Sequence, residues 1–149
     1  MGPTTGSFKG RLLRAPSVLA WLRLARVFQK VDRASVAHLR AWGLSVAQFD
    51  VLAQVGAAEG MTQQELAQSL LVTKGNVTQL IDRMEASGWI RRCQEGRCNR
   101  LALTDEGRRL YADVVPAQED LITRLFATLS HEERAVLLAT LRRLDHALP

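Results

Sequence analysis

Cysteine, aromatic residues and long apolar runs are all scarce in this chain, and each shortage closes off a class of protein. Two cysteines in 149 residues cannot supply the disulfide framework of a small secreted domain. An aromatic share of 5% beside 47% hydrophobic residues suits a helical core better than a sheet sandwich. No stretch reaches the roughly 18 consecutive apolar residues that mark a membrane-spanning helix. The opening MGPTTGSFKGRLLRAPS has neither the apolar core of a secretory signal nor a myristoylation pattern. Residues 1–14 therefore read as a disordered lead-in, and the chain as a cytoplasmic protein with no membrane partner. A Gly-rich phosphate loop, HExxH and GxSxG are all missing, and the carboxylates are scattered over helix faces and caps. An enzyme is not expected, nor a cofactor. The three histidines lie far in sequence from the two thiols, short of the ligand set a structural metal such as zinc wants.

What is present is positive charge, and its placement says more than its total of +5. Between positions 74 and 109 stand Lys74, Arg83, Arg91, Arg92, Arg97, Arg100, Arg108 and Arg109, against Asp82, Glu85, Glu95, Asp105 and Glu106. The last forty or so residues are mildly acidic. Clustered basic charge of this kind fits a nucleic-acid partner.

That basic stretch falls inside a well-punctuated unit, Met61 to Thr104. Thr62 with Glu65 forms a capping box that opens a short helix, followed by apolar Leu66, Ala67, Leu70 and Leu71. Thr73 is placed to cap a second helix, in which Val77, Leu80, Ile81 and Met84 recur at the spacing of one buried face. The opposite face carries Lys74, Gly75, Asn76, Thr78, Gln79 and Arg83. Asn and Gln can pair bidentately with adenine, and Lys or Arg with guanine or phosphate, so this reads as a DNA-reading helix. Ser87-Gly88 ends it. Trp89-Ile90 and Leu101-Ala102-Leu103 are short strand-like runs around Arg91, Arg92, Arg97 and Arg100, an arginine-rich ribbon suited to the minor groove or the phosphates. The expected DNA contacts are Thr73, Lys74, Gly75, Asn76, Thr78, Gln79, Arg83, Arg91, Arg92, Arg97 and Arg100.

Helices flank this unit. One runs from about Ala15 to Trp42, with Pro16 in its first turn, where proline is tolerated. Ser45 caps the next, with Phe49, Leu52, Ala53 and Val55 inward. Thr104-Asp105-Glu106 opens another, which Pro116 should kink or break at a cost of about 3 kcal/mol in a straight interior. Ser130 with Glu133 is a second capping box, leading into Val136, Leu137, Leu141, Leu144 and Leu148 along one face. The terminal helices either fold back to enlarge a monomer core or interlock with a second copy as a homodimer. The fold class is mainly α with a small β-hairpin wing: a winged helix-turn-helix flanked by N- and C-terminal dimerisation helices. It is a single domain over 15–149, with the DNA-binding part at 44–104 and the dimerisation parts at 15–43 and 105–149.

In this order and spacing, LSVAQFDVLAQV (Leu44–Val55), MTQQELAQSLLVTKGNVTQLIDRMEASGWIRR (Met61–Arg92), LALTDEG (Leu101–Gly107) and LSHEERAVLLATLRRL (Leu129–Leu144) resemble the MarR family of multiple antibiotic resistance regulators. The resemblance implies a homodimeric winged helix that binds double-stranded DNA at a pseudo-palindromic operator, with most relatives repressing transcription until a small ligand or an oxidant arrives. It would put an effector pocket near Trp42, Phe49 and Tyr111, positions that read first as core. Family wings carry Asp-x-Arg; here the matching Glu95-Gly96-Arg97 sits in a shorter hairpin, which implies that Arg97 keeps its DNA role with reduced minor-groove reach. The alternative is a non-sequence-specific, architectural DNA binder or a winged-helix protein-interaction module. Asn76, Thr78 and Gln79 favour the regulator, because a pure phosphate binder does not need amides on its reading helix.

Cys93 and Cys98 flank the wing tip. If Glu95-Gly96 is the turn, Gln94 faces Arg97 and Cys93 faces Cys98, at the short end of disulfide range. The thiols are then either a redox pair that stiffens the wing on oxidation or two incidental side chains.

Overall fold

The structure, a computed structural model, describes residues 15–70 and 74–149, with the backbone alone at positions 74 and 75. The expected lead-in at 1–14 and the cap at Thr73 lie outside the described residues. Helix α1 spans Pro16–Arg40, with its proline in the first turn, where a missing N–H costs nothing. Then come α2 (Val46–Ala57), α3 (Gln63–Ser69), α4 (Lys74–Ala86), β1 (Ile90–Glu95), β2 (Cys98–Leu103), α5 (Asp105–Leu125) and α6 (His131–Ala147). Local chemistry sets most of these boundaries. Ser45, Thr62 and Ser130 each accept from the backbone N–H three residues on, and Gln48, Glu65 and Glu133 return the bond to the cap. Thr104 caps α5 by accepting from Gly107 N at 2.9 Å.

Of the kink or break that the sequence suggests at Pro116, the break does not occur; the helix runs on to Leu125. Tertiary packing holds it on both sides of the lost hydrogen bond. Val114 is fully buried just before the proline and Gln118 almost so just after it. Gln118 Nε2 donates to Ser35 Oγ at 2.9 Å, and His38 Nδ1 lies 2.8 Å from Gln118 Oε1, which ties α5 to α1.

The core is continuous from α1 to the wing: Leu39, Val51, Leu52, Val55, Leu66, Val77, Ile81, Met84, Leu101 and Val114 are wholly buried. Trp42, Phe49 and Tyr111 pack against it as partly buried side chains. Tyr111 lies across Gly56, where a Cβ would come within 2.3 Å of its ring. The two strands pair antiparallel, and the start of α3 adds a short third rung. Gly60 N donates to Leu101 O and Leu101 N to Met61 O, with Thr62 bridging Arg100. At the far end the apolar seam stays open. No residue of α6 is buried, and Trp21 (64%), Phe28 (66%), Val136 (65%) and Leu148 (62%) stand largely in solvent. The terminal helices thus do not fold back into a closed monomer core. No described helix is long and apolar enough to cross a membrane.

Candidate nucleic-acid interface

Helix α4 sorts its side chains as its period demands. Val77, Ile81 and Met84 are wholly buried, which turns Asn76, Thr78, Gln79 and Arg83 to the exposed side. Lys74 and Gly75 begin the helix, and their backbone lies at its N-terminal end. One contributor escaped the sequence reading: Gln63 Nε2 donates to Thr78 Oγ1 at 2.7 Å. Gln63 and Gln64 line a shallow groove with Ala67, Val77 and Thr78, so the first helix lends amides to the edge of the second. The available signal was their position directly after the Thr62 cap, on the first turn of the helix that precedes the reader.

Gly88 takes the left-handed backbone (φ 78°) that a helix stop requires, and Trp89 N then donates to Met84 O. The chain turns straight into β1. Gly107 at the start of α5 presses on this corner so closely that a Cβ would lie 2.0 Å from Trp89 O.

The wing's register departs from expectation. Glu95 pairs with Cys98, Gln94 with Asn99, Cys93 with Arg100 and Arg92 with Leu101. The two turn residues are therefore Gly96-Arg97, not Glu95-Gly96. Gly96 has φ 61° and Arg97 is not left-handed, the backbone signature of a type II′ turn, which wants glycine first. Both readings contain the glycine; only its place in the turn differs. The consequence is a correction: Cys93 does not face Cys98, and both thiols are free.

The arginines take different roles. Arg97 occupies the exposed tip, and Arg91 is exposed on β1, donating through Nη1 to Cys93 Sγ at 3.4 Å. Arg92, expected on DNA, turns inward instead. Its side chain is only 19% exposed and bridges Asp82 at 2.6 Å and Glu85. Burial pulls against its charge, but the carboxylates of Asp82 and Glu85 outweigh that and hold its pKa above the usual arginine value. It fastens the wing to α4. Arg100 pairs with Glu95 and donates to Gly60 O at 2.8 Å, so Glu95 braces Arg100 rather than Arg97. No group of three His, Cys, Asp or Glu side chains is gathered to hold a metal among the described residues.

The helix pair and its basic ribbon have counterparts among known DNA-binding proteins. The MarR family model matches residues 42–97. An HTH-type transcriptional regulator of Bacillus cereus is 32% identical over 128 residues, covering 86% of this chain and 87% of that protein. The chain belongs to the MarR family. Its members are DNA-binding transcriptional regulators rather than enzymes. The HTH-type regulator PecS of Dickeya dadantii is 32% identical over 131 residues, covering 84% of this chain and 79% of PecS. Among solved structures, a cysteine-to-serine mutant of MarR from E. coli in complex with operator DNA superposes with a TM-score of 0.78. It is 29% identical and covers 89% of this chain and 96% of that one.

Proposed function

We propose that this MarR-family chain is a homodimeric repressor that reads a pseudo-palindromic operator and lets go when a small ligand or oxidant binds. The observation that carries the reading is the exposed row Asn76, Thr78, Gln79 and Arg83 on a helix whose other face is wholly buried. Such a row offers amides to base edges and a guanidinium to guanine or phosphate, so it can select a sequence rather than only neutralise a backbone. Arg97 at the tip and Arg91 on the strand add contacts to the adjacent groove or phosphates. Arg100 supports the base of the wing.

The dimer is supported by the apolar side chains of α1, α5 and α6 that one copy leaves in water. Large apolar side chains left in solvent along helices that face each other or a second copy are what an interaction site exposes before it is covered. A two-fold pair also sets two reading helices one DNA turn apart, about 34–36 Å, which is what a palindrome demands. Relief by an effector rests on the family resemblance and on the helical junction around Trp42, Phe49 and Tyr111.

The test is affinity for DNA upstream of the protein's own gene against random DNA at near-physiological salt, with the number of subunits per site measured alongside. A preference of about a thousandfold or more, with two subunits bound, supports the reading. Equal and steeply salt-dependent affinity for both would overturn it in favour of an architectural role, and no affinity for either would point to a protein partner.

A further inference from the structure

The register that separates the two thiols also gives them a different use. Paired positions in an antiparallel ribbon share a face, so Cys93, Glu95, Cys98 and Arg100 all stand on one side of the wing. It is the side away from the core, since Ile90, Leu101 and Leu103 fill the other. The four side chains form a square with two crossing diagonals. Glu95 and Arg100 already meet along one of them as an ion pair, and Cys93 and Cys98 occupy the other. Diagonal Cα atoms lie about 7–8 Å apart, beyond the roughly 4.4–6.8 Å that a direct disulfide tolerates. A single atom bonded to both sulfurs spans a wider gap than a sulfur–sulfur bond does. Both thiols are free, Cys98 exposed and Cys93 half-buried.

We propose that the outer face of the wing is a dithiol capture site for trivalent arsenicals, with one arsenic bridging Cys93 and Cys98. Zinc would need about four ligands; Glu95, the neighbouring carboxylate, is engaged by Arg100, and no group of three His, Cys, Asp or Glu is gathered to hold a metal among the described residues. A linear two-coordinate ion would need thiols pointing at each other, whereas these rise side by side from one face. Pyramidal trivalent arsenic, with two sulfur ligands and one other group, matches that count and direction. With an organic arsenoxide, two S–H bonds break and two S–As bonds form. The arsenoxide oxygen leaves as water with both protons, and arsenic stays trivalent, so no oxidant or reductant is required. Arg91, which donates to Cys93 Sγ at 3.4 Å, gives that contact up as the sulfur takes arsenic.

The consequence for DNA rests on the regulator reading above. Cys98 follows Arg97 directly, so a bridge anchored at Cys98 restrains the tip arginine. The full chain, fully reduced, is treated with a several-fold excess of phenylarsine oxide and followed by intact mass and free-thiol count. Expected is one phenylarsenic group per chain with both thiols consumed, and an adduct that resists excess glutathione but yields to 2,3-dimercaptopropanol. Cys93→Ser and Cys98→Ser should each lose that resistance by about a hundredfold or more, the usual gain from a second, intramolecular bond. Two arsenicals per chain, or a wild-type adduct as labile as those of the single variants, would overturn the site. DNA affinity of the loaded and unloaded protein is then compared; equal affinities refute the link to Arg97. Absence of DNA affinity in the unloaded protein would count against the regulator reading instead, and the mass and thiol readouts would still decide the site.

Discussion

Replacing Arg92 by methionine separates two jobs that a wing arginine can have. The substitution keeps an apolar stem of similar reach and removes the charge that bridges Asp82 and Glu85. Exposed ion pairs contribute about 0.2–1 kcal/mol each. The carboxylates here are 59% and 42% exposed, which places both pairs toward the screened end. The summed loss is then about 1 kcal/mol, or roughly 2–4 °C in melting temperature for a chain of this size. A wing no longer fastened to α4 must be ordered when DNA binds, at a cost no larger than the clamp it lost. Affinity should therefore fall by at most about fivefold per subunit. The salt dependence decides the cause. A lost phosphate contact lowers the slope of log affinity against log salt by about 1 per subunit, whereas a lost clamp leaves that slope unchanged. Thermal melting and binding isotherms at several salt concentrations measure both. An unchanged melting temperature with a reduced slope would refute the inward role and return Arg92 to the DNA.

Other outcomes follow from single contacts. Gly107→Ala should destabilise the protein by about 1–3 kcal/mol, because its Cβ would sit 2.0 Å from Trp89 O; a urea melt indistinguishable from wild type would contradict so tight a corner. Gln79→Ala should relax base preference at one operator position by about 1–3 kcal/mol, and equal losses on random DNA would remove its reading role. The Glu65 carboxylate accepts from Thr62 N and from the Thr62 side chain, which hold its pKa below the ordinary 4.5. For an acid with a depressed pKa the stabilisation is present above the ordinary range and lost as pH falls through the lowered value. An NMR titration should therefore show the cap at the start of α3 intact at pH 5 and opening only below 4.5; a midpoint at or above that value would contradict it. Phe28→Asp, which puts a charge on an apolar side chain 66% exposed in one copy, should shift dimers toward monomers in sedimentation, and an unchanged mass would exclude that face from the interface.

Sequence legibility here followed the range of the deciding interaction. Ser45, Thr62, Thr104 and Ser130 were readable because a cap and its partner lie three residues apart, and the buried row of α4 was readable from its period. The strand register was not, since Glu95-Gly96 and Gly96-Arg97 both suit a two-residue turn and a positive φ at Gly96 fits either; only the pairing of Glu95 with Cys98 distinguishes them. Arg92 was assigned to DNA because its acids lie seven and ten residues earlier on another element, a pairing that exists only once the wing folds against α4. The unbroken helix at Pro116 has a related cause. A local penalty of about 3 kcal/mol was overridden by Val114 and Gln118 packing on either side of it, which no local signal announces.

The short third rung at the base of the wing limits how this protein could be controlled. Gly60 and Met61 hold β2 through the backbone, Arg92 holds β1 to α4, and Gln63 holds α3 to α4. Every moving part of the reader is thereby tied to every other. A signal arriving elsewhere would have little freedom to reshape the surface that meets the bases. If the chain pairs as proposed, it would have to act on distance instead, by changing how far apart the two readers stand. Control would then lie in a spacing, and the code on the reading helix would stay the same in both states.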